Sequence, residues 1–191
     1  MRSLDDETTE AEHRLMHARM AEDAFKDHVL AKEGDGRWYC GKPDTGIYSF
    51  RVISAPRCIF LYGDLGDLVL QPSDRDALAW LRGCIKSLDY VLGKATKPER
   101  EFLPAEVEAW LKQDEAEAAE EEDGRHRDRV TKLRDLWREC KYEDDRSLAW
   151  RRVYVEATGD CEPPACDDWS AQMLWQYHAL AKFCQLLEVQ P

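Results

Sequence analysis

The sequence lacks long apolar runs, and no stretch approaches the 18 consecutive apolar residues that a membrane-spanning helix requires. The N-terminal residues MRSLDDETTEAEHRL are polar and acidic, without the apolar core of a signal peptide. The seven cysteines are an odd number and lie mostly within apolar patterns, which favours reduced thiols over a disulfide framework. Together these absences predict a cytoplasmic protein.

The sequence also lacks the motifs of several common enzyme classes, since it has no P-loop, no GxGxxG and no HExxH. A serine or cysteine nucleophile needs a histidine partner, and three of the five histidines fall on the first predicted helix. A zinc site could combine Cys161 and Cys166 with Cys40 or Cys58, but this spacing does not match the paired zinc motifs. The sequence therefore predicts a non-enzymatic protein without catalytic residues, metal or cofactor.

Basic residues are outnumbered, with 27 lysines and arginines against 39 acidic residues and a formal net charge of -12. A surface of this sign repels nucleic acid and anionic membranes. It suits a protein that binds a basic surface, such as the nucleic-acid groove of another protein. The charge thus predicts a protein partner and disfavours direct binding to nucleic acid or membrane.

The segment Trp38–Leu70 is the only part of the chain with a clear β pattern. Runs of β-branched and aromatic residues, separated by glycine and proline, predict strands at 47–53, 58–62 and 67–70. Their short spacing indicates an antiparallel sheet of three or four strands.

Helical patterns flank this segment. Thr9 and Glu12 match a capping box, and Met16, Met20, Ala24, Phe25 and Val29 recur behind them at helical spacing. We expect this helix to end at residues 34–36. A second helix is expected from an N-cap at Ser73 to Gly93, with its apolar side on the sheet.

The sequence pattern of the C-terminal half predicts helices. A helix is expected at 147–157 with Gly159 as its stop, and a last helix at 168–188. The last helix carries a heptad-like apolar seam of Met173, Tyr177, Leu180, Cys184 and Leu187. The expected fold is α+β, with a sheet covered by helices in residues 1–93 and a helical region with a charged arm in residues 94–191.

The charged arm changes sign near its middle. Residues 113–123 contain seven acids and no base, whereas residues 125–141 contain seven lysines and arginines and three acids. Two antiparallel helices meeting at Asp123 and Gly124 would set the acidic arm against the basic one. One continuous helix with an internal glycine is the competing interpretation.

Asp64 and Asp67 lie in the glycine-rich stretch between two predicted strands. Glycine and aspartate are the residues that hairpin turns require, which favours a structural turn. The alternative is a divalent-metal or acid/base pair.

Seven tryptophans are available as core or interface side chains. Trp169 and Trp175 fall on opposite turns of the last predicted helix, which suggests that both do not face one core, and an exposed tryptophan is a typical interface anchor. The predicted partner-binding residues are the acids of the arm and these two aromatics: Glu115, Glu117, Glu120, Glu121, Glu122, Asp123, Trp169 and Trp175.

The segment 38–90 resembles a type of uncharacterised phage and prophage protein. The resemblance covers about a quarter of the chain and includes the residues 85–90. The matching positions are Trp38, Cys40, Pro43, Gly46, Tyr48, Phe50, Val52, Gly63, Asp64 and Gly66. The resemblance implies a phage or mobile-element origin, and small acidic phage proteins are often inhibitors of host defence, such as anti-CRISPR proteins.

The leading functional hypothesis is thus an acidic, phage-encoded binding protein that docks onto a basic bacterial host protein, a defence nuclease or a CRISPR complex, in the manner of a DNA mimic. The alternative is a metal-dependent enzyme that acts on a nucleotide or nucleic-acid end through Asp64 and Asp67. A third hypothesis is a homodimer or larger homo-oligomer formed through the seam of the last helix.

Overall fold

The computed structural model describes residues 8–121, 124–140, 143 and 145–189. The elements are, in chain order, α1 (Glu10–Phe25), β1 (Val29–Gly34), β2 (Arg37–Gly41), β3 (Phe50–Ala55), β4 (Cys58–Gly63), β5 (Leu68–Leu70), α2 (Ala77–Cys84), α3 (Leu88–Leu92), β6 (Arg100–Phe102), α4 (Pro104–Glu120), α5 (Gly124–Glu139), α6 (Arg146–Thr158), β7 (Asp167–Trp169) and α7 (Ala171–Val189). The α+β class expected from the sequence is confirmed.

The chain divides into two compact units. The helical unit consists of residues 1–13 and 101–168, and the sheet unit consists of residues 14–100 and 169–191. This division differs from the one expected at residues 93 and 94, because α7 contributes its apolar side chains to the core of the sheet unit.

Strands β1 to β5 form one antiparallel sheet in chain order, with more strands than the sequence predicted. Strand β1 was missed because Lys32 and Glu33 interrupt any apolar alternation. The prediction that residues 34–36 end the first helix is wrong. Gly34 is the last residue of β1, and residues 35 and 36 form the turn to β2, where Gly36 has a φ of 66°.

Alternation along the strands places every second side chain on one buried face of the sheet. Helices α1, α2, α3 and α7 contribute side chains to the same core. The buried side chains of this face are Trp38, Cys40, Phe50, Val52, Ile59, Leu61, Leu68 and Leu70. The sheet unit is therefore a layer of helices on one face of an antiparallel sheet.

The capping box of α1 is confirmed, since the carboxylate of Glu12 accepts the backbone N–H of Thr9 at 3.0 Å. The predicted apolar face of this helix is wrong for two residues, since Met16 and Met20 are 40% and 49% exposed. Phe25 of that face is buried as predicted, together with Ala21, which the pattern did not include. The ring of Phe25 meets aromatic rings of the core edge-on, which turns this side of the helix inward.

The helical segment after the sheet differs from the expected single helix. Asp76 rather than Ser73 caps α2, because its carboxylate accepts the backbone N–H of Ala79 at 3.0 Å. The segment breaks after Cys84, and α3 begins behind Ser87 as its N-cap. The expected apolar side still faces the core.

In the helical unit, α4, α5 and α6 pack around tryptophan rings. The ring of Trp150 meets the rings of Trp110 and Trp137 edge-on, with centroids 5.8 Å and 5.7 Å apart. Helix α4 ends before Glu121, whose φ and ψ of −82° and 136° are extended. The two-helix interpretation of the charged arm is therefore confirmed over the described residues.

The last two helices follow their predicted positions closely. Gly159 ends α6 with a φ of 77°, and its N–H donates to the carbonyl of Val155 at 2.8 Å. Helix α7 begins at Ala171 rather than Asp168, because residues 167–169 form the short strand β7.

We expect Gly63→Ala to lower the free energy of unfolding by about 2 kcal/mol or more. Gly63 has a φ of 138°, and a Cβ there would lie 2.5 Å from the carbonyl oxygen of Ser49. Gly46→Ala is the control, because a Cβ at Gly46 meets nothing within 4 Å. Urea unfolding measures the free energy of unfolding of both variants. Equal stabilities of the two variants would contradict the close approach of Gly63 to Ser49.

Candidate partner-binding surface

The acidic helix α4 lies against the basic helix α5, as the change of charge sign predicted. The guanidinium of Arg134 forms a bidentate pair with Glu115, in which Nη2 donates to Oε2 at 2.8 Å and Nε donates to Oε1. Its Nη1 lies 3.5 Å from Glu108, whose other carboxylate oxygen accepts Nε1–H of Trp137 at 2.9 Å. Glu115 is thus engaged within the helical unit, although 43% of its side chain stays exposed.

His126 of α5 contacts two carboxylates of the acidic arm. Its Nε2 lies 2.9 Å from Oδ1 of Asp114, and its Nδ1 lies 3.1 Å from Oε2 of Glu121. The hydrogen bond to Asp114 raises the pKa of His126, desolvation opposes this shift, and the hydrogen bond to Glu121 adds to it. Asp114 is buried, whereas 53% of the side chain of Glu121 is exposed.

Two carboxylates of the arm remain on the surface near the end of α4 without an ion pair to a base among the described residues. Glu117 accepts a hydrogen bond from the neutral amide of Gln113 at 2.9 Å, and Glu120 is exposed. Glu122 and Asp123 were also predicted to bind the partner and lie outside the described residues. The acidic surface of α4 is therefore formed by Glu117 and Glu120 together with Glu121, which is 53% exposed although His126 contacts it.

The negative charge of the chain is concentrated in one of the two units. The helical unit contains 26 acidic and 12 basic residues, a formal net charge of −14. The sheet unit contains 13 acidic and 15 basic residues, a formal net charge of +2. The charge argument from the whole sequence therefore applies to the helical unit alone.

Trp169 was expected to be an exposed anchor, and this expectation is wrong. It is 4% exposed and belongs to β7 rather than to the last helix. Its Nε1 donates to Asp89 at 2.8 Å, and the guanidinium of Arg100 lies 4.4 Å from its ring centroid. Partial burial works against ionisation of Asp89, but the bonds from Trp169 and Arg14 outweigh it and lower the pKa of that carboxyl.

Trp175 is partly exposed and packs against the core of the sheet unit. Its ring stacks on Tyr48 with centroids 5.4 Å apart and an angle of 27°. Tyr48 is 42% exposed and has a φ of 58°, a conformation that side chains of its size rarely adopt. The Nε2 of His28 lies 3.0 Å from its carbonyl and donates to it, while burial lowers the pKa of His28. The sequence pattern placed Tyr48 in the predicted strand 47–53, whereas β3 begins at Phe50, because no local signal predicts a left-handed tyrosine.

One of the two carboxylates in residues 63–67 has a structural contact. Asp64 accepts the backbone N–H of Ser49 at 3.0 Å, which ties this stretch to the beginning of β3. Gly66 has a φ of 77°, as the turn interpretation expects. Among the described residues, no group of three or more His, Cys, Asp or Glu side chains is arranged to hold a metal ion.

The cysteines are free thiols in this structure. Burial raises the pKa of both Cys40 and Cys166 to about 12. A thiol with so high a pKa is a weak nucleophile at neutral pH, because the thiolate is the reactive form.

The seam of the last helix is not available as an oligomer surface. Met173, Tyr177, Leu180 and Cys184 are buried in the core of the sheet unit. The homo-oligomer stays a prediction, and these four of the five seam side chains would not form its surface, because they already have partners within the chain.

No protein-family model matches this chain, and neither the curated proteins nor the solved structures contain a match to it. Within the part of the chain that the structure describes, no helix is long and apolar enough to cross a membrane.

We expect Arg134→Lys to lower the free energy of unfolding by about 1 kcal/mol, because a lysine cannot reproduce the bidentate contact with Glu115 and the approach to Glu108. Arg138→Lys is the matched control on the same helix, since its pair with Asp135 is exposed, and its effect should stay below about 0.5 kcal/mol. Chemical unfolding measures both. If Arg138→Lys lowered the free energy of unfolding as much as Arg134→Lys, the assigned role of Arg134 would be contradicted.

Proposed function

We propose that this chain is a non-enzymatic binding protein whose helical unit docks onto a basic surface of a bacterial host protein. The observation that carries this proposal is the net charge of −14 on the helical unit, together with the exposed acids at the end of α4. A field of this strength accelerates association with a cationic surface and selects against anionic partners.

The contact surface in this proposal is the acidic surface of α4. Glu117 and Glu120 are three residues apart on the helix, so their Cβ atoms are about 5–6 Å apart on the same side. Glu121 follows directly. Because Arg134 of α5 pairs with Glu115 and Glu108, and His126 contacts Glu121, Glu117 and Glu120 are the carboxylates of this surface that have no ion pair to a base among the described residues.

The partner class in this proposal is a protein that normally binds nucleic acid, such as a defence nuclease or a CRISPR complex. Such proteins hold phosphates with clustered lysine and arginine side chains, and a cluster of carboxylates can occupy the same cations. The resemblance of residues 38–90 to phage and prophage proteins supports a phage origin and hence an inhibitor of host defence. Trp175 with Tyr48 supplies a partly exposed aromatic pair as a second contact candidate, on the sheet unit.

The test is an affinity capture from bacterial lysate with the full chain as bait, at about 0.05 M and about 0.5 M salt. Bound proteins are identified by mass spectrometry. We expect a basic nucleic-acid-binding protein that is retained at low salt and released at high salt.

The double variant Glu117→Lys, Glu120→Lys should weaken binding of the captured protein at least about tenfold at low salt, because it reverses the charge of the contact. The control is Glu22→Lys, Asp23→Lys, which makes the same change in net charge on the exposed side of α1. Equal loss in both variants would indicate a net-charge effect without a specific surface. Unchanged affinity and salt dependence in the α4 variant would contradict the proposal.

A further inference from the structure

His126 is placed where its protonation state controls the acidic surface of α4. Only the imidazolium can donate from both ring nitrogens, and both nitrogens lie within hydrogen-bond distance of a carboxylate. In the neutral ring one nitrogen carries a lone pair instead, and this lone pair would face a carboxylate oxygen. Hydrogen bonds from both ring nitrogens to carboxylates therefore require the protonated ring.

The two carboxylates differ in what they can do when His126 loses its proton. Asp114 is 8% exposed, and its Oδ2 is buried without a hydrogen-bond partner among the described residues. Keeping the remaining N–H of the ring on Asp114 is thus favoured, because an unpaired buried carboxylate is unfavourable. Glu121 is 53% exposed and can turn into water. Glu121 is therefore the group that deprotonation releases.

Helices α4, α5 and α6 all contribute charged or titratable groups around the contact between His126 and Asp114. Helix α4 contributes Asp114, and Glu121 follows its end. On α5, Arg125 and Arg127 flank His126 in sequence. On α6, burial raises the pKa of Tyr154, and the charge of Asp114 contributes to this rise. The carboxylates are the groups in direct contact with the ring.

We propose that His126 is a proton switch that regulates the acidic surface of α4. Protonated His126 holds Glu121 and neutralises part of the surface, whereas neutral His126 releases Glu121 and adds one negative charge to it. The switch has a consequence for binding, which is a higher affinity for a cationic partner at a pH above the pKa of His126. This consequence rests on the proposed function. By linkage, a cationic partner that binds Glu121 favours loss of the proton from His126.

The same contact has a defined effect on stability. The pKa of His126 in the folded chain is raised above the ordinary value near 6.5. Its contribution to stability is therefore fully present below that ordinary value and is lost as the pH rises through the folded-state pKa.

The first arm of the test is an NMR titration of the histidine side chains in the full chain from about pH 5.5 to about pH 8.5. We expect the pKa of His126 to lie above 6.5 and to fall in Asp114→Asn and in Glu121→Gln. An ordinary pKa for His126, or one that neither substitution changes, would overturn the switch whatever the partner is.

The second arm measures binding of a fluorescent oligolysine peptide at low salt over the same pH range. We expect affinity to rise about two- to fivefold between the protonated and neutral states, as the removal of one exposed ion pair implies. His126→Gln should abolish this rise and keep the fold, because glutamine is neutral and retains a donor for Asp114. Glu117→Gln is the comparison, since it removes one charge at every pH and should keep the pH-dependent rise.

The two arms separate the two proposals. A raised pKa with no oligolysine binding at any pH would contradict the proposed function and also remove the regulatory consequence of the switch. Oligolysine binding with the same affinity at both ends of the pH range in the unmodified chain would contradict the switch and leave the proposed function intact.

Discussion

Repulsion among carboxylates is the constraint on which the helical unit depends. Residues 113–123 carry seven acids and no base, and like charges three or four residues apart destabilise a helix. Helix α5 removes part of this repulsion, since Arg134 and His126 contact acids near the start of this run and His126 also contacts Glu121 near its end. The order of acidic helix, turn and basic helix thus favours an antiparallel pair, and the tryptophan core beneath it adds the apolar burial that charges alone do not supply.

The same pairing decides what is left for a partner. Arg134 of α5 already pairs with Glu115, so the acidic surface of α4 is smaller than the acidic run in the sequence. The separation of charge between the units has a second consequence, because a net charge of +2 gives the sheet unit little long-range attraction or repulsion. An average over the whole chain conceals this difference between the two units.

Local signals in the sequence identified many of the elements. The capping box at Thr9, the glycine stop at Gly159 and the sign change near Gly124 each act within a few residues, and the structure retains all three. The strand β4 was also predicted nearly to the residue, because an apolar run between turn residues specifies it locally.

The failures concern the choice of buried face. Met16 and Met20 belong to the predicted apolar face of α1 yet are exposed, whereas Ala21, which lies outside that pattern, enters the core together with Phe25. Trp169 likewise gains its burial from Asp89 and Arg100, which are far from it in sequence. Which face is buried depends on the shape of the opposing surface, and a helical pattern read along one segment contains no information about that surface.

The sequence by itself determined the α+β class, the capping box of α1, the Gly159 stop of α6 and the segregation of acidic and basic residues, because each depends on neighbours along the chain. Only the tertiary structure decided which carboxylates remain exposed. Glu115 and Glu117 are indistinguishable as sequence, but Arg134 lies opposite the first and not the second. The physical reason is that an ion pair requires two groups within a few ångströms, and α5 supplies that proximity only to the acids on the facing side of α4.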